Sequence, residues 1–423
     1  MDNLIFSYCF ISSNQLDHLN VYIVEIMIMK IKILLLFIIS ALFNSCQKES
    51  SNFTIKNELV FNLNYKPLPK YTGIYNDKKT SKEYIYFADP ISKKCIKIFD
   101  TNSLLIDSII LKKALDTLGE IDGISIISLD TILIGSLRTN KIVAINKQGN
   151  IWHYLNLNSL VNAIDSNVYV FHFSALSNFN SKNNYLTLNC EWRFNKYDKI
   201  NEIEPKTHFE FGKYYSEKYY KAPYFLNISN YFDYSPKVEL CLNGFYKNIS
   251  NTADIFVEPC FYKSLNNKIY LFSVFSNKIF EINPVNFKIE QEIKVISKFT
   301  KFNQHPIKVK RETDNTFQDS LNYNGKTKAS INRLFYDNLK KEFYVIIFHE
   351  LNDKTVVKKK GYFRPFSVLI YNQDFTQSRE YNFEDSINYE GYRALLTKEG
   401  LMIPIKNKDE ESKFTFRLFK FNN

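Results

Sequence analysis

Past residue 50 the chain repeats one pattern. A short alternating or wholly apolar run gives way to a cluster of Asn, Asp, Lys or Gly, and then another run begins. Helical periods are nearly absent, and Gly and Pro number only 11 each in 423 residues. Runs and breakers of this kind signal strands joined by hairpins. EYIYFADPISKKCIKIFDTNSLLIDSIIL predicts strands at 84–88, 94–99 and 104–111, with turns at Asp89-Pro90 and Asp100-Thr101-Asn102. DTILIGSLRTNKIVAINKQGNIWHYLNL repeats the sentence at 131–136, 141–146 and 150–155, and NKIYLFSVFSNKIFEINPVNFKIEQEIKV at 268–275, 278–283 and 287–295. A fourth copy joins KKEFYVIIFHE to RPFSVLIYNQDFTQSREYNF across a charged insertion at 351–360. A poorer one begins at NNYLTLNCEWRF, and EGLMIPIKNKDEESKFTFRLFKF ends the chain with two strands.

Sequential antiparallel units at this scale predict an all-β fold, a β-propeller. First strands near 84, 131, 184, 268, 342 and 399 give six blades. That is about 63 residues per blade against roughly 40–50 in common repeats, which leaves room for insertions; they fall around 195–235 and 300–330. The last unit is short of a strand, and FTIKNELVFNLNY (53–65) is placed to supply it and close the ring, protecting sheet edges. Seven blades is the alternative, with KVELCLNG (237–244) in a unit of its own. A pair of β-sandwiches fits less well, because the meander order repeats.

The N-terminal region has a different logic. Lys30 and Lys32 precede an apolar run from Ile33 to Phe43, and Asn44-Ser45-Cys46 comes next. A basic start, a short greasy stretch and a small residue before a cut site form an export signal. Eleven helical residues span about 16 Å at roughly 1.5 Å each, half of a hydrocarbon core of about 30 Å. Extending the run back to Val21 would bury Glu25, Lys30 and Lys32, so a permanent span is the weaker reading. Leu42-Phe43-Asn44-Ser45-Cys46 resembles a lipobox, where cleavage leaves a cysteine that carries lipid. The expected organisation is therefore 1–28 as a spurious extension with translation starting at Met29 (or Met27), 29–45 as lipoprotein signal peptide, and 46–423 as the propeller. Cys46 is the expected lipid attachment site and the membrane its partner through that anchor. Gln47-Lys48-Glu49 resembles a weak surface-export signal, so an outer-membrane location is expected, in either the periplasmic or the surface-facing leaflet.

Charge and chemistry change this picture little. The net charge is +11 with 55 Lys and Arg, but only eight are Arg and the lysines are dispersed, unlike the clustered footprint of a nucleic-acid binder. Cys95, Cys190, Cys241 and Cys260 form no CxxC pair, so zinc-ribbon and thioredoxin chemistry is absent. HExxH, GxSxG, P-loop and EF-hand patterns are missing too, and no metal, cofactor or catalytic residue is assigned. Propeller ligands commonly bind near the axis, which directs attention to Glu191-Trp192-Arg193, His349 with Glu350, and Arg364. Trp192 between an acid and an arginine suits a sugar-stacking platform; a blade-end aromatic beside a surface ion pair is the plainer reading. His349 and Arg364 either line the channel or end their strands. KYYSEKYYKAPYF (213–225) is either an exposed contact loop or a solvated one.

INRLFYDNLKKEFYVIIFHE (331–350), RPFSVLIYNQDF (364–375), TKEGLMIPI (397–405) and the lipobox together resemble the Bacteroidota lipoproteins grouped as domain of unknown function 4221. The chain carries Tyr344-Val345 where that family tends to have Tyr-Arg. The resemblance implies a six-bladed propeller and no established activity. The expected function is a lipid-anchored envelope module that binds or scaffolds a glycan or an envelope protein. The alternative is an envelope enzyme acting on glycan or peptide at the propeller axis.

Overall fold

The computed structural model describes Phe53 to Phe421 except 64–70, 92, 163–167, 173–178, 181–184, 193–224, 234–235, 242–259, 266–267, 274–275, 303–326, 352–363, 384–388 and 406–411. β1 (Phe53–Asn62) does not pair with the strand next in sequence. Blade 1 is β2 (Tyr71–Asn76), β3 (Glu83–Asp89), β4 (Cys95–Asp100) and β5 (Leu105–Ile110). Blade 2 is β6 (Gly123–Ser128), β7 (Thr131–Ser136), β8 (Lys141–Ile145) and β9 (Ile151–Asn156). Blade 3 holds β10 (Val168–His172), the two-residue β11 (Phe179–Asn180), β12 (Tyr185–Trp192), β13 (Phe225–Ser229) and β14 (Lys237–Cys241). Blade 4 is β15 (Cys260–Leu265), β16 (Lys268–Ser273), β17 (Lys278–Ile282) and β18 (Ile289–Lys294). Blade 5 is β19 (Ser330–Asp337), β20 (Glu342–Phe348), β21 (Phe366–Asn372) and β22 (Ser378–Phe383). Blade 6 is β23 (Leu395–Thr397), β24 (Gly400–Ile405) and β25 (Lys413–Phe421), with β1 as its outermost strand. Short helices α1 (Lys112–Leu118) and α2 (Leu157–Asn162) come after blades 1 and 2.

The propeller is six-bladed. KVELC is the outer strand of blade 3, hydrogen-bonded to β13, so it founds no seventh blade. The three-strand units expected from sequence are the second, third and fourth strands of each blade. Each blade has an additional first strand, and these meet at the centre: β2 touches β6 and β23, and β19 touches β15 and β23. FTIKNELVFN does close the ring, with Phe53 opposite Phe421 and Asn62 opposite Lys413.

Among the described residues, the seams between blades 1 and 2, 2 and 3, 4 and 5, 5 and 6, and 6 and 1 are built from alternate residues of adjacent blades, which explains the near-continuous apolar runs. In blade 2, Ile132, Ile134, Val143 and Ile145 pack on blade 1, while Leu133, Ile142 and Ala144 pack on Leu186, Leu188, Leu226 and Ile228 of blade 3. Blade 6 sends Leu401, Ile403, Phe419 and Phe421 toward blade 5, and Met402, Phe414, Phe416 and Leu418 toward blade 1. A strand covered on both faces loses the in-out alternation of a half-solvated sheet. The outer strand β14 keeps that alternation, with Lys237 and Glu239 exposed and Val238, Leu240 and then Cys241 covered.

The Asx residues noted in sequence make one recurring turn between third and fourth strands. Asp100 Oδ1 accepts from the amides of Asn102 and Leu104 (2.9 Å each), Asn146 Oδ1 from Gln148 (3.1 Å) and Asn150 (3.0 Å), Asn283 Oδ1 from Val285 (2.8 Å), and Asn372 Oδ1 from Gln377 (3.0 Å). Each turn holds one residue at positive φ: Ser103, Gly149, Phe287 and Phe375. Short polar side chains of this kind stand in for backbone partners in turns. At Gly149, φ is +76° and a Cβ would collide with the Ile110 carbonyl oxygen, so that position admits only glycine.

Two substitutions test this packing. Gly149→Ala is expected to destabilise by more than about 1 kcal/mol. Phe87→Ala removes a ring packed against Phe61, Phe99, Phe414 and Phe416, at a cost of about 3–5 kcal/mol. Both are read as a lower urea midpoint at unchanged slope.

Candidate functional site

The antiparallel order gives the ring two unlike faces. Turns between first and second, and third and fourth, strands open on one, the turn face. Connections between second and third strands, and from blade to blade, open on the other, the connection face. His349 comes directly after β20 and Arg364 shortly precedes β21, so both stand at the connection face of blade 5. Glu191 and Trp192 end β12, opposite Tyr169 and Val168 of β10, on the same face of blade 3. The side chains of Glu191 and Trp192 lie outside the described residues, as do Arg193, residues 213–224 and Cys46.

Arg364 is 2% exposed. Its Nη2 donates to the carbonyls of His349 (2.6 Å) and Lys328, and its guanidinium lies 5.5 Å from the Phe348 ring centroid. Burial pushes its pKa down to about 10, with Glu350 opposing the shift, so it stays charged at neutral pH. His349 Nε2 is 2.6 Å from Ser367 Oγ and its ring stacks on Phe299. Burial, and then the Arg364 charge, push the imidazole down to about 4. Glu350 pairs with Lys328 at 2.6 Å, and its amide donates to Thr300 Oγ1 at 3.0 Å. These contacts sew the chain before β19 to the loop between β20 and β21. They make a buried clamp, with Ser367 fully covered, rather than an acid, base and nucleophile open to a substrate. Glu191, His349 and Arg364 thus share a face, but His349 and Arg364 are committed to holding the fold.

A second cluster sits nearer the axis, where first strands meet. A β-bulge between Ile331 and Arg333 in β19 turns Arg333 toward blade 6. Its Nε and Nη2 donate to the Tyr392 carbonyl at 2.8 and 2.5 Å. Tyr392 belongs to a single 3-10 turn, Gly391–Arg393, that leads into β23. Gly391 fits there because a Cβ would stand 3.2 Å from Phe348 and Phe366. Arg393 lies over the Tyr392 and Phe414 rings, with Nη1 3.4 Å from Glu390 Oε2, and a fifth of its side chain remains open. Burial, and then the nearby Arg393 charge, lower the Arg333 pKa. Among the described residues, two guanidiniums and one carboxylate leave an excess positive charge that suits a carboxylate, sulfate or phosphate. Sequence reasoning missed this pair because they lie 60 positions apart; the scarcity of arginine was the one available signal.

On the turn face, a cavity of about 600 Å³ opens between blades 4 and 5, lined by Lys268, Tyr270, Glu281, Lys341 and 372–374. Its polar groups pair among themselves: Tyr270 donates to Glu281 at 2.9 Å, and Lys268 bridges Glu281 and Glu290. Among the described residues, no three His, Cys, Asp or Glu are placed to hold a metal ion.

Solved structures locate this fold among known proteins. A member of the DUF4221 family from Bacteroides vulgatus ATCC 8482 superposes at TM-score 0.66 and 17% identity, over 88% of this chain and 98% of its own. The two chains share a fold, which here has six blades. A Bacteroides fragilis NCTC 9343 protein superposes at TM-score 0.51 and 10% identity, over 89% and 97%. No family model and no curated protein match the sequence.

Arg364→Lys is expected to lose one of two carbonyl contacts and about 1–3 kcal/mol of stability in denaturant melts. His349 has a folded pKa below its unfolded value, so the unfolded chain binds more protons between about pH 6.5 and about 4. Its contribution is therefore full above that window and is lost as pH falls through it. Urea midpoints measured across this range should fall less steeply in His349→Gln than in the parent.

Proposed function

We propose that this protein is a lipid-anchored β-propeller of the outer membrane that binds an anionic group near its axis. One observation carries the binding half: Arg333 and Arg393 converge between the first strands of blades 5 and 6, beside a single acid among the described residues. Placing two guanidiniums together costs desolvation and mutual repulsion, and an anion between them relieves both. The anchoring half rests on the basic start, the apolar run and Cys46. Membership of the DUF4221 family is part of the same proposal, supported by the quoted motifs and the shared fold. A carboxylated or sulfated envelope glycan is the ligand class that fits an exposed module of this charge. The enzyme alternative loses support, because the His349 and Arg364 groups are spent on internal contacts.

Two measurements test the halves separately. Fatty-acid labelling in cells should mark the wild type and not Cys46→Ala; equal labelling of both would end the anchoring reading. Titration with sulfated and with neutral oligosaccharides should show binding of the sulfated set alone. Arg393→Ala should weaken it about tenfold or more, the loss of one charge-assisted contact. Unchanged affinity in that variant would remove the pair from the site.

A further inference from the structure

We infer that the turn-face rim of blades 6, 1 and 2 rests on the lipid surface, with Leu104, Leu105, Ile106 and Trp152 entering its interface. The inference rests on the anchoring reading and adds an orientation to it. Phe53 pairs with Phe421, the last residue of β25, so the chain joins the propeller at the turn face on its outer edge. Six residues lie between Cys46 and Phe53, seven Cα-to-Cα steps with a reach of at most about 25 Å when fully extended. A lipid on Cys46 therefore keeps that rim close to the bilayer.

The rim next to the tether is also the greasy one. Leu104, Leu105 and Ile106 are consecutive and 63, 52 and 52% exposed, at the turn-face end of β5. Trp152, at the same end of β9, is 47% exposed and leans on Phe232 at 5.0 Å. Ile55 in β1 is 51% exposed. Four of the six outer strands guard their edges with charge: Lys56 and Glu58 in β1, Lys237 and Glu239 in β14, Glu290, Glu292 and Lys294 in β18, Arg379 and Glu380 in β22. In contrast, β5 carries a single acid and β9 no Asp, Glu, Lys or Arg. Aromatic residues with a polar edge favour the headgroup level. Exposed Lys79 and Lys147, in turns of blades 1 and 2 on this face, suit anionic headgroups. This orientation directs the connection face, with Arg333 and Arg393, away from the lipid. A second copy pairing along β5 would cover the same residues, but only the membrane is brought to this edge by the tether.

Trp152 is its own reporter, since the chain has two tryptophans. The acylated protein purified from cells and carrying Trp192→Phe would be placed on phosphatidylethanolamine–phosphatidylglycerol vesicles, with and without brominated acyl chains. The orientation predicts that bromination lowers Trp152 emission by about half or more. Leu105→Asp with Ile106→Asp should remove that quenching while the protein still floats with the vesicles. Flotation with unquenched Trp152 would overturn the orientation and leave the anchor standing. Unquenched Trp152 with Ile106→Cys copies cross-linking to each other would assign the edge to a dimer instead. Failure to float would overturn both the anchor and the orientation.

Discussion

Blade 6 owes its fourth strand to the beginning of the chain. β23, β24 and β25 leave β25 with an unpaired edge, and β1 covers it from Phe53 to Asn62. The same strand tightens the seams on both sides. Phe53 stacks on Phe383 of blade 5 at 5.2 Å, while Phe61 packs against Phe87 and Phe99 of blade 1. Just beyond it, Leu63 donates its amide to Ser412 and accepts from Lys97 of blade 1. A ring buries both faces of each blade only when its neighbours are present, so the interior of every blade is contingent on this closure. Barrels and propellers gain by closing because open edges invite pairing with other chains.

Second and third strands were plain in the sequence because both their faces are buried and they read as apolar runs. First strands were not. YTGIYN and GISIIS interrupt their apolar residues with Thr, Gly, Ser or Asn, and LLT is three residues long, so none carries an apolar run comparable to FYVIIF. The Asx turns were visible as clusters of Asp, Asn and Gly, and the structure supplies their common reason, a side-chain oxygen replacing a backbone partner before a residue at positive φ. β1 could be placed from sequence by counting, since the last unit lacked a strand.

The candidate site was less accessible. His349 and Arg364 could be placed at strand ends from their neighbours, but their burial depends on Lys328, Phe299 and Thr300, residues from a different connection. Arg333 and Arg393 meet only because blades 5 and 6 are adjacent at the axis. No local pattern encodes that meeting. The two faces differ: the connection face carries the buried His349–Arg364 clamp and the Arg333–Arg393 pair, and the turn face carries the chain's entry, the exposed apolar rim and the ion-paired cavity of blades 4 and 5.

Native-state hydrogen exchange on the peptides covering 53–62 and 413–421 addresses the closure most directly. If β1 completes the ring, its amides bonded to β25 will exchange with the same opening free energy as those of β25, close to that of global unfolding. If the 53–62 amides exchange within seconds while 413–421 stays protected, β1 is an ornament on a ring that closes without it, and the closure does not depend on the start of the chain.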